Sequence, residues 1–316
     1  MKKKYFILLL GCLLISSGCS NDTYSQNRLK QIEETIVDNN TQPYMSGGGV
    51  SLGLYDVEGK IEETKSFKLN KNESFKKIIA LGNMIDSDRT YRILLFVDFN
   101  QYSFLVNGNE VLAYDFKAGQ NEYSAIPIEI NNLSEGFHDI FFVIVKDSDV
   151  KSLDIDYRNH TDMNNLLFIR FNVTVGNNSV PTIEFKPLNS TGEAILDGVF
   201  LSKETDKLKR WSVDNTTIST QLNFNIHVGN KAYNEQQNYA LITLLDWKQV
   251  NFYNNQNLIF FSLNKGTQSY ISASINTPDK KGVYDLVSIL INNPYEPLTI
   301  KNSNIETGIR VGLNVE

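Results

Sequence analysis

The sequence predicts an all-β protein built as two tandem copies of one antiparallel β-sandwich. Three observations predict it. Short runs rich in β-branched and aromatic residues recur through the chain, separated by turn residues. After the N-terminal 45 residues, no twelve-residue window has helical periodicity. The second half repeats the first, block by block and in order.

The repeat is clearest where Tyr91–Asn109 aligns without gaps on Tyr239–Asn257. Six of nineteen positions are identical: Tyr91/Tyr239, Asp98/Asp246, Gln101/Gln249, Phe104/Phe252, Asn107/Asn255 and Asn109/Asn257. Chance at this composition gives about one or two. Upstream, Gly82-Asn83 matches Gly229-Asn230. Downstream, Gly119 and Tyr123 match Gly266 and Tyr270. Gly136 and Asp139 then match Gly282 and Asp285, and Ile169-Arg170 matches Ile309-Arg310. The unit is longer than the 20–50 residues of a solenoid repeat, so each copy should hold its own core. The copies span about 46–177 and 178–316, joined at the polar turn Asn177-Asn178-Ser179 before Pro181.

In copy one the expected strands begin with Val50–Tyr55 and Ser66–Leu69. Arg92–Phe99, Tyr102–Val106, Val111–Phe116, Ser124–Ile130, Ile140–Val145 and Leu167–Val175 follow. Asn107-Gly108 is a two-residue signal for a type I′ hairpin. In copy two they are Ile218–Val228, Ala240–Trp247, Asn251–Tyr253, Leu258–Leu263, Ser269–Ile275, Leu286–Ile291 and Gly308–Val315. Six to eight strands per copy suit an immunoglobulin-like sandwich, with Trp247 as a core tryptophan, although strand topology stays open.

The N-terminus has a different character. Lys2, Lys3 and Lys4 precede an apolar run from Tyr5 to Ile15, then Ser16, Ser17, Gly18 and Cys19. The run has 11 residues, short of the ~20 needed to span a membrane. A charged start, a short apolar core and a small-residue end make a secretory signal. Gly18-Cys19 resembles the lipobox of bacterial lipoproteins, in which a peptidase cuts before a cysteine that carries a diacylglycerol. Ser16 departs from the aliphatic residue usual three positions before the cut. Cys12, in Leu9-Leu10-Gly11-Cys12, fits the letters better but follows too short an apolar core. The resemblance implies a signal at 1–18, lipidation of Cys19, and an extracytoplasmic protein anchored in the cell membrane.

Cys12 and Cys19 are the only cysteines, so the mature domains have neither a disulfide nor a thiolate metal site. Loss of the three lysines takes the formal charge from −6 to −9. An acidic exported chain is unsuited to nucleic acid, and charge alone would not hold it to an anionic membrane. Residues 19–45 form a tether in which Leu29, Ile32, Ile36 and Val37 mark the apolar side of a short helix. That helix either docks on copy one or spaces it from the membrane.

Chemistry is sparse. His138, His160 and His227 fall in no metal or triad spacing, and there is no nucleophile elbow, HExxH or phosphate loop. Asp147, Asp149, Asp154 and Asp156 lie close in sequence, and such oxygen ligands suit calcium. A solvated acidic loop is the simpler reading; no other cofactor is expected. The retained polar residues Asp98/Asp246 and Gln101/Gln249, with Tyr123/Tyr270, either form a ligand site on each copy or close strand ends structurally. The sequence therefore points to a non-enzymatic envelope lipoprotein that binds a protein or polysaccharide, or acts structurally. A substrate-binding lipoprotein of a transporter and a carbohydrate-binding or hydrolytic envelope protein are the alternatives.

Overall fold

The computed structural model describes residues 21–38, 48–160, 164, 166–177, 179–299 and 303–316, with side chains of the first segment given for 27–35. Cys12, Cys19 and the joint residue Asn178 lie outside the described residues.

Helix α1 (Asn21–Asp38) comes first. Copy one then forms β1 (Gly49–Tyr55), β2 (Ser66–Leu69), β3 (Phe75–Met84), β4 (Arg89–Val97), β5 (Asn100–Tyr102), β6 (Phe104–Val106), β7 (Asn109–Val111), β8 (Ala113–Ala118), β9 (Glu122–Ile130) and β10 (Gly136–Lys146). A one-turn helix α2 (Ile155–Asn159) precedes β11 (Leu167–Val175). Copy two contributes β12 (Lys186–Pro187), β13 (Gly192–Glu193), β14 (Gly198–Ser202), β15 (Val213–Thr216), β16 (Gln221–Gly229), β17 (Gln237–Leu245) and β18 (Lys248–Gln249). It ends with β19 (Leu258–Leu263), β20 (Thr267–Asn276), β21 (Gly282–Asn292), β22 (Ile305–Thr307) and β23 (Val311–Val315).

Copy one packs a sheet of order β1-β3-β9-β6-β7 on one of order β2-β11-β10-β4-β5, with β8 also on β4. Copy two packs β13-β20-β16-β14 on β12-β19-β17-β21-β23-β15. In copy one β1 pairs antiparallel with β3 while β2 crosses to pair parallel with β11, and in copy two β14 pairs antiparallel with β16 while β15 crosses to pair parallel with β23. That strand order is immunoglobulin-like. β3, β12, β13, β14, β15, β18 and β22 fall outside the sequence expectations, and the expected strand Asn251–Tyr253 is reduced to a single bridge of Tyr253 with Gln256. In β3, Lys76, Lys77 and the run Ile78–Leu81 obscure the alternation, because both faces of that run are covered.

The two sandwiches are not beads on a string. Strands β4 and β10 bury both faces. Ile93, Leu95, Ile140, Phe142 and Ile144 point into the core of copy one. Leu94, Phe96, Phe141, Val143 and Val145 point the other way, onto Ala240, Ile242, Leu244, Val287, Ile289 and Ile291 of β17 and β21. This second layer is why those strands read as continuous apolar runs. An antiparallel strand with one wet face would alternate.

The repeat held in the pairing of β4 with β10 and of β17 with β21, but not directly downstream of the Asn107 hairpin. There β8 places Ala118 opposite Arg89 and β19 places Leu263 opposite Gln237, so Gly119 corresponds to Asn264 and not to Gly266. β3 and β9 place Tyr123 opposite Gly82, whereas β16 and β20 place Gln268 opposite Gly229 and Tyr270 opposite His227. Tyr270 thus takes the place of Ala125, and the match of Tyr123 with Tyr270 is corrected by two residues. A two-residue slip keeps every side chain on its own face, so hydrophobic pattern cannot reveal it. Asn107-Gly108 makes the expected turn, with φ of 51° and 79°. Copy two turns one residue earlier, at Asn254-Asn255.

Candidate functional site

The retained polar residues meet each other at the seam between the copies. The Gln101 backbone N–H donates to Gln249 Oε1 at 2.7 Å, and the Gln249 N–H donates to Gln101 Oε1 at 2.9 Å. Gln101 Nε2 donates to the Trp247 carbonyl and Gln249 Nε2 to the Phe99 carbonyl, both at 3.0 Å. Reciprocal contact between equivalent residues is the mark of an isologous interface, here made within one chain. The glutamines are a clasp.

Asp98 and Asp246 shape the hairpins that carry this clasp. Asp98-Phe99 and Asp246-Trp247 are tight turns with φ of 50° and 65°, and 50° and 68°. A bulky aromatic in the left-handed region is strained. The turns drive Phe99 and Trp247 into the seam, where Phe99 is edge-on to Phe260 and Tyr295. Trp247 therefore belongs to the inter-copy layer and not to the core of copy two, which uses Trp211. Asp98 Oδ1 accepts the Asp139 N–H at 3.1 Å, and Oδ2 lies 2.7 Å from His138 Nδ1. Burial lowers the His138 pKa, but its bonds to Asp98 and the Ser134 carbonyl outweigh this and raise it above 6.5.

Each copy also carries a buried ion pair absent from the sequence-derived candidates. Arg170 grips Asp139 through Nε and Nη2, at 2.9 and 2.6 Å. Its Nη1 crosses the seam to the Asn292 carbonyl at 2.6 Å. In copy two Arg310 approaches Asp285 at 3.3 Å and crosses to the Lys146 carbonyl at 3.0 Å. Retention of Asp139/Asp285 and Arg170/Arg310 was the available signal. Strand neighbours cannot be paired without topology. Asp285 also receives Arg158 from α2, which is fully buried, and Lys151 at 3.7 Å. Burial pushes the Asp285 carboxyl up, yet Arg310 and Arg158 hold it below 3.8.

The acidic segment is accordingly not a cation cage. Asp147 pairs with Arg89 at 3.3 Å, and Asp149 accepts the Thr90 hydroxyl. Asp154 caps α2 by accepting the Tyr157 N–H at 2.8 Å, and Asp156 sits in its first turn. Among the described residues no three acidic, histidine or cysteine side chains are grouped to hold a metal.

An open groove of about 720 Å³ lies on the flank of copy two. Leu188, Tyr253, Leu258, Phe260 and Tyr270 supply its apolar walls, and Asn254 and Gln256 its amides. Tyr270 stands 6.0 Å from the His227 ring, whose Nε2 lies 2.9 Å from the Glu204 carbonyl. Tyr123, in contrast, covers the bare Cα of Gly82. The corresponding outer sheet face of copy one is covered: Ile32 of α1 packs on Tyr55, Ile78, Ala80 and Ala125. No described helix is long and apolar enough to cross a membrane.

No family model and no curated protein matches the chain. Among solved structures it is similar to a CARDB domain of a Pyrococcus furiosus protein in complex with di-metal ions. Identity there is 11% and the TM-score 0.26, over 42% of this chain and 98% of that one. A PapD-like domain of human CEP192 matches at 11% identity and TM-score 0.24, over 44% and 100%. Red sea bream transglutaminase matches at 8% identity and TM-score 0.25, over 90% of this chain and 33% of that one. The sandwich architecture stands on the strand order described above.

Proposed function

We propose that the protein is an extracytoplasmic lipoprotein, held to the cell membrane by lipidated Cys19, whose clasped sandwiches form one rigid, non-enzymatic binding module of the envelope. The position of α1 carries this reading. The helix starts two residues after Cys19 and lies on the outer sheet of copy one, so the anchor would join the folded body directly. Two acyl chains on that cysteine supply stable anchoring, which a net charge of −9 would not. The open groove of copy two would then lie on the other sandwich, away from the anchor.

A transporter-type binding lipoprotein holds its substrate between two domains. Here the facing sheets are packed on each other through fourteen buried apolar residues, which disfavours that alternative. Metabolic labelling with an alkynyl palmitate tests the anchor. The wild-type chain and Cys12→Ser should be labelled and sediment with membranes, while Cys19→Ser should lose the label. A Cys19→Ser chain that keeps the label overturns the anchoring. Partners enter through the groove, and capture of an envelope protein or polysaccharide by the membrane-bound chain is the corresponding test of the binding role.

A further inference from the structure

Strand β20 has an open edge that its counterpart in copy one has lost. Pairing of β16 with β20 is continuous from Gln221↔Asn276 to Gly229↔Gln268, so alternate residues of β20 present both backbone groups outward. Two bonds fix which ones. Thr191 N–H donates to the Gln268 carbonyl at 2.9 Å, and Ser274 N–H donates to the Phe252 carbonyl at 2.8 Å. Tyr270 and Ser272 lie between them with the same parity. Among the described residues nothing pairs with their outward N–H and C=O groups.

In copy one the same positions are Ala125 and Pro127. The Ala125 N–H donates to Glu33 Oε1 of α1 at 3.0 Å, and Pro127 has no N–H to offer. A capped donor and an edge proline are the usual ways of blunting a strand edge. Copy two has neither. Its Tyr270 stands over His227, where copy one has the Ala80–Ala125 pair that seats the helix. Tyr270 and Ser272 of the bare edge also line the open groove, together with Leu188 and Tyr253.

We propose that this groove receives an extended peptide segment of a partner protein, added as a strand to the β20 edge. The Tyr270 and Ser272 backbone groups would supply register-specific hydrogen bonds. Leu188, Leu258 and Tyr253 would take alternate apolar side chains of the peptide. Five residues, 269–273, lie between the two closing bonds, which sets a contact about 17 Å long. This deepens the binding-module reading and does not depend on the anchor, which palmitate labelling tests separately.

The test uses the full chain in detergent and a fluorescein-labelled octapeptide of alternating valine and threonine, followed by polarisation. The peptide should bind saturably. N-methylation at alternate residues should weaken it about tenfold in one register and little in the other, because only one register points its N–H groups at β20. Ser272→Pro should weaken it comparably, and Ser272→Ala should not. Equal effects of both methylation registers, or no binding by the peptide or by any member of a displayed decapeptide library, overturn the proposal.

Discussion

Gln101 and Gln249 each donate a backbone N–H to the other's side-chain oxygen, across a seam that joins two halves of one chain. The same relation in a homodimer would be a two-fold contact. Here it makes two sandwiches one mechanical unit. Removing either side chain leaves the other's part-buried N–H without its acceptor. Gln101→Ala and Gln249→Ala should each cost about 1–3 kcal/mol in urea unfolding. The double variant should cost less than the sum, and strict additivity would refute the clasp.

Trp247 should matter to the seam more than to its own sandwich. Trp247→Ala removes a nearly fully buried indole that stacks under Arg310, 4.7 Å from the ring centroid. The expected loss is about 3–5 kcal/mol. Trp211 fluorescence reports the core of copy two. If the seam opens before that core, the Trp211 transition should come later than the loss of near-ultraviolet dichroism.

Asp285 makes the seam acid-sensitive. Its folded pKa lies below 3.8, so its contribution is present above that value and lost as pH falls through the lower folded value. Arg158→Met removes one of its two arginines and should cost about 3 kcal/mol at neutral pH. It should also move the acid unfolding midpoint upward. An unchanged acid limb would show that Arg158 does not hold the carboxylate.

His138 acts with the opposite sign. Its folded pKa is raised above 6.5, so its contribution is complete below 6.5 and fades as pH rises through the folded value. The wild-type melting temperature should therefore fall from pH 6 to pH 8. His138→Tyr, which installs the residue that copy two has at Tyr284, should flatten that slope.

Helix α1 should protect an edge of copy one. Ile32→Asp places a charge under the helix and should release it from Ala80 and Ala125. Hydrogen exchange should then speed up at the Ala125 amide by about tenfold or more, with the core strands unaffected. Retained protection there would mean that Glu33 caps the edge without the helix face.

The sequence by itself determined most of the strands and the duplication, and it carried the expectation of a secretory N-terminus. Each of these is a local or self-comparing pattern: β-branched runs between turn residues, Tyr91–Asn109 against Tyr239–Asn257, three lysines before an apolar run. Even Asn107-Gly108 foretold its turn, because two residues with positive φ need nothing beyond their own chemistry. Only the tertiary structure decided what the repeated residues are for. Gln101 and Gln249 are 148 positions apart and bond to each other because two sheets meet face to face. The acidic segment, close in sequence, is dispersed because Arg89, Thr90 and α2 each claim one carboxylate or more. The two-residue slip at Tyr270 was invisible, since a period-two pattern is unchanged by it. An open edge is likewise written in no residue of β20: it follows from what the neighbouring chain does and does not cover.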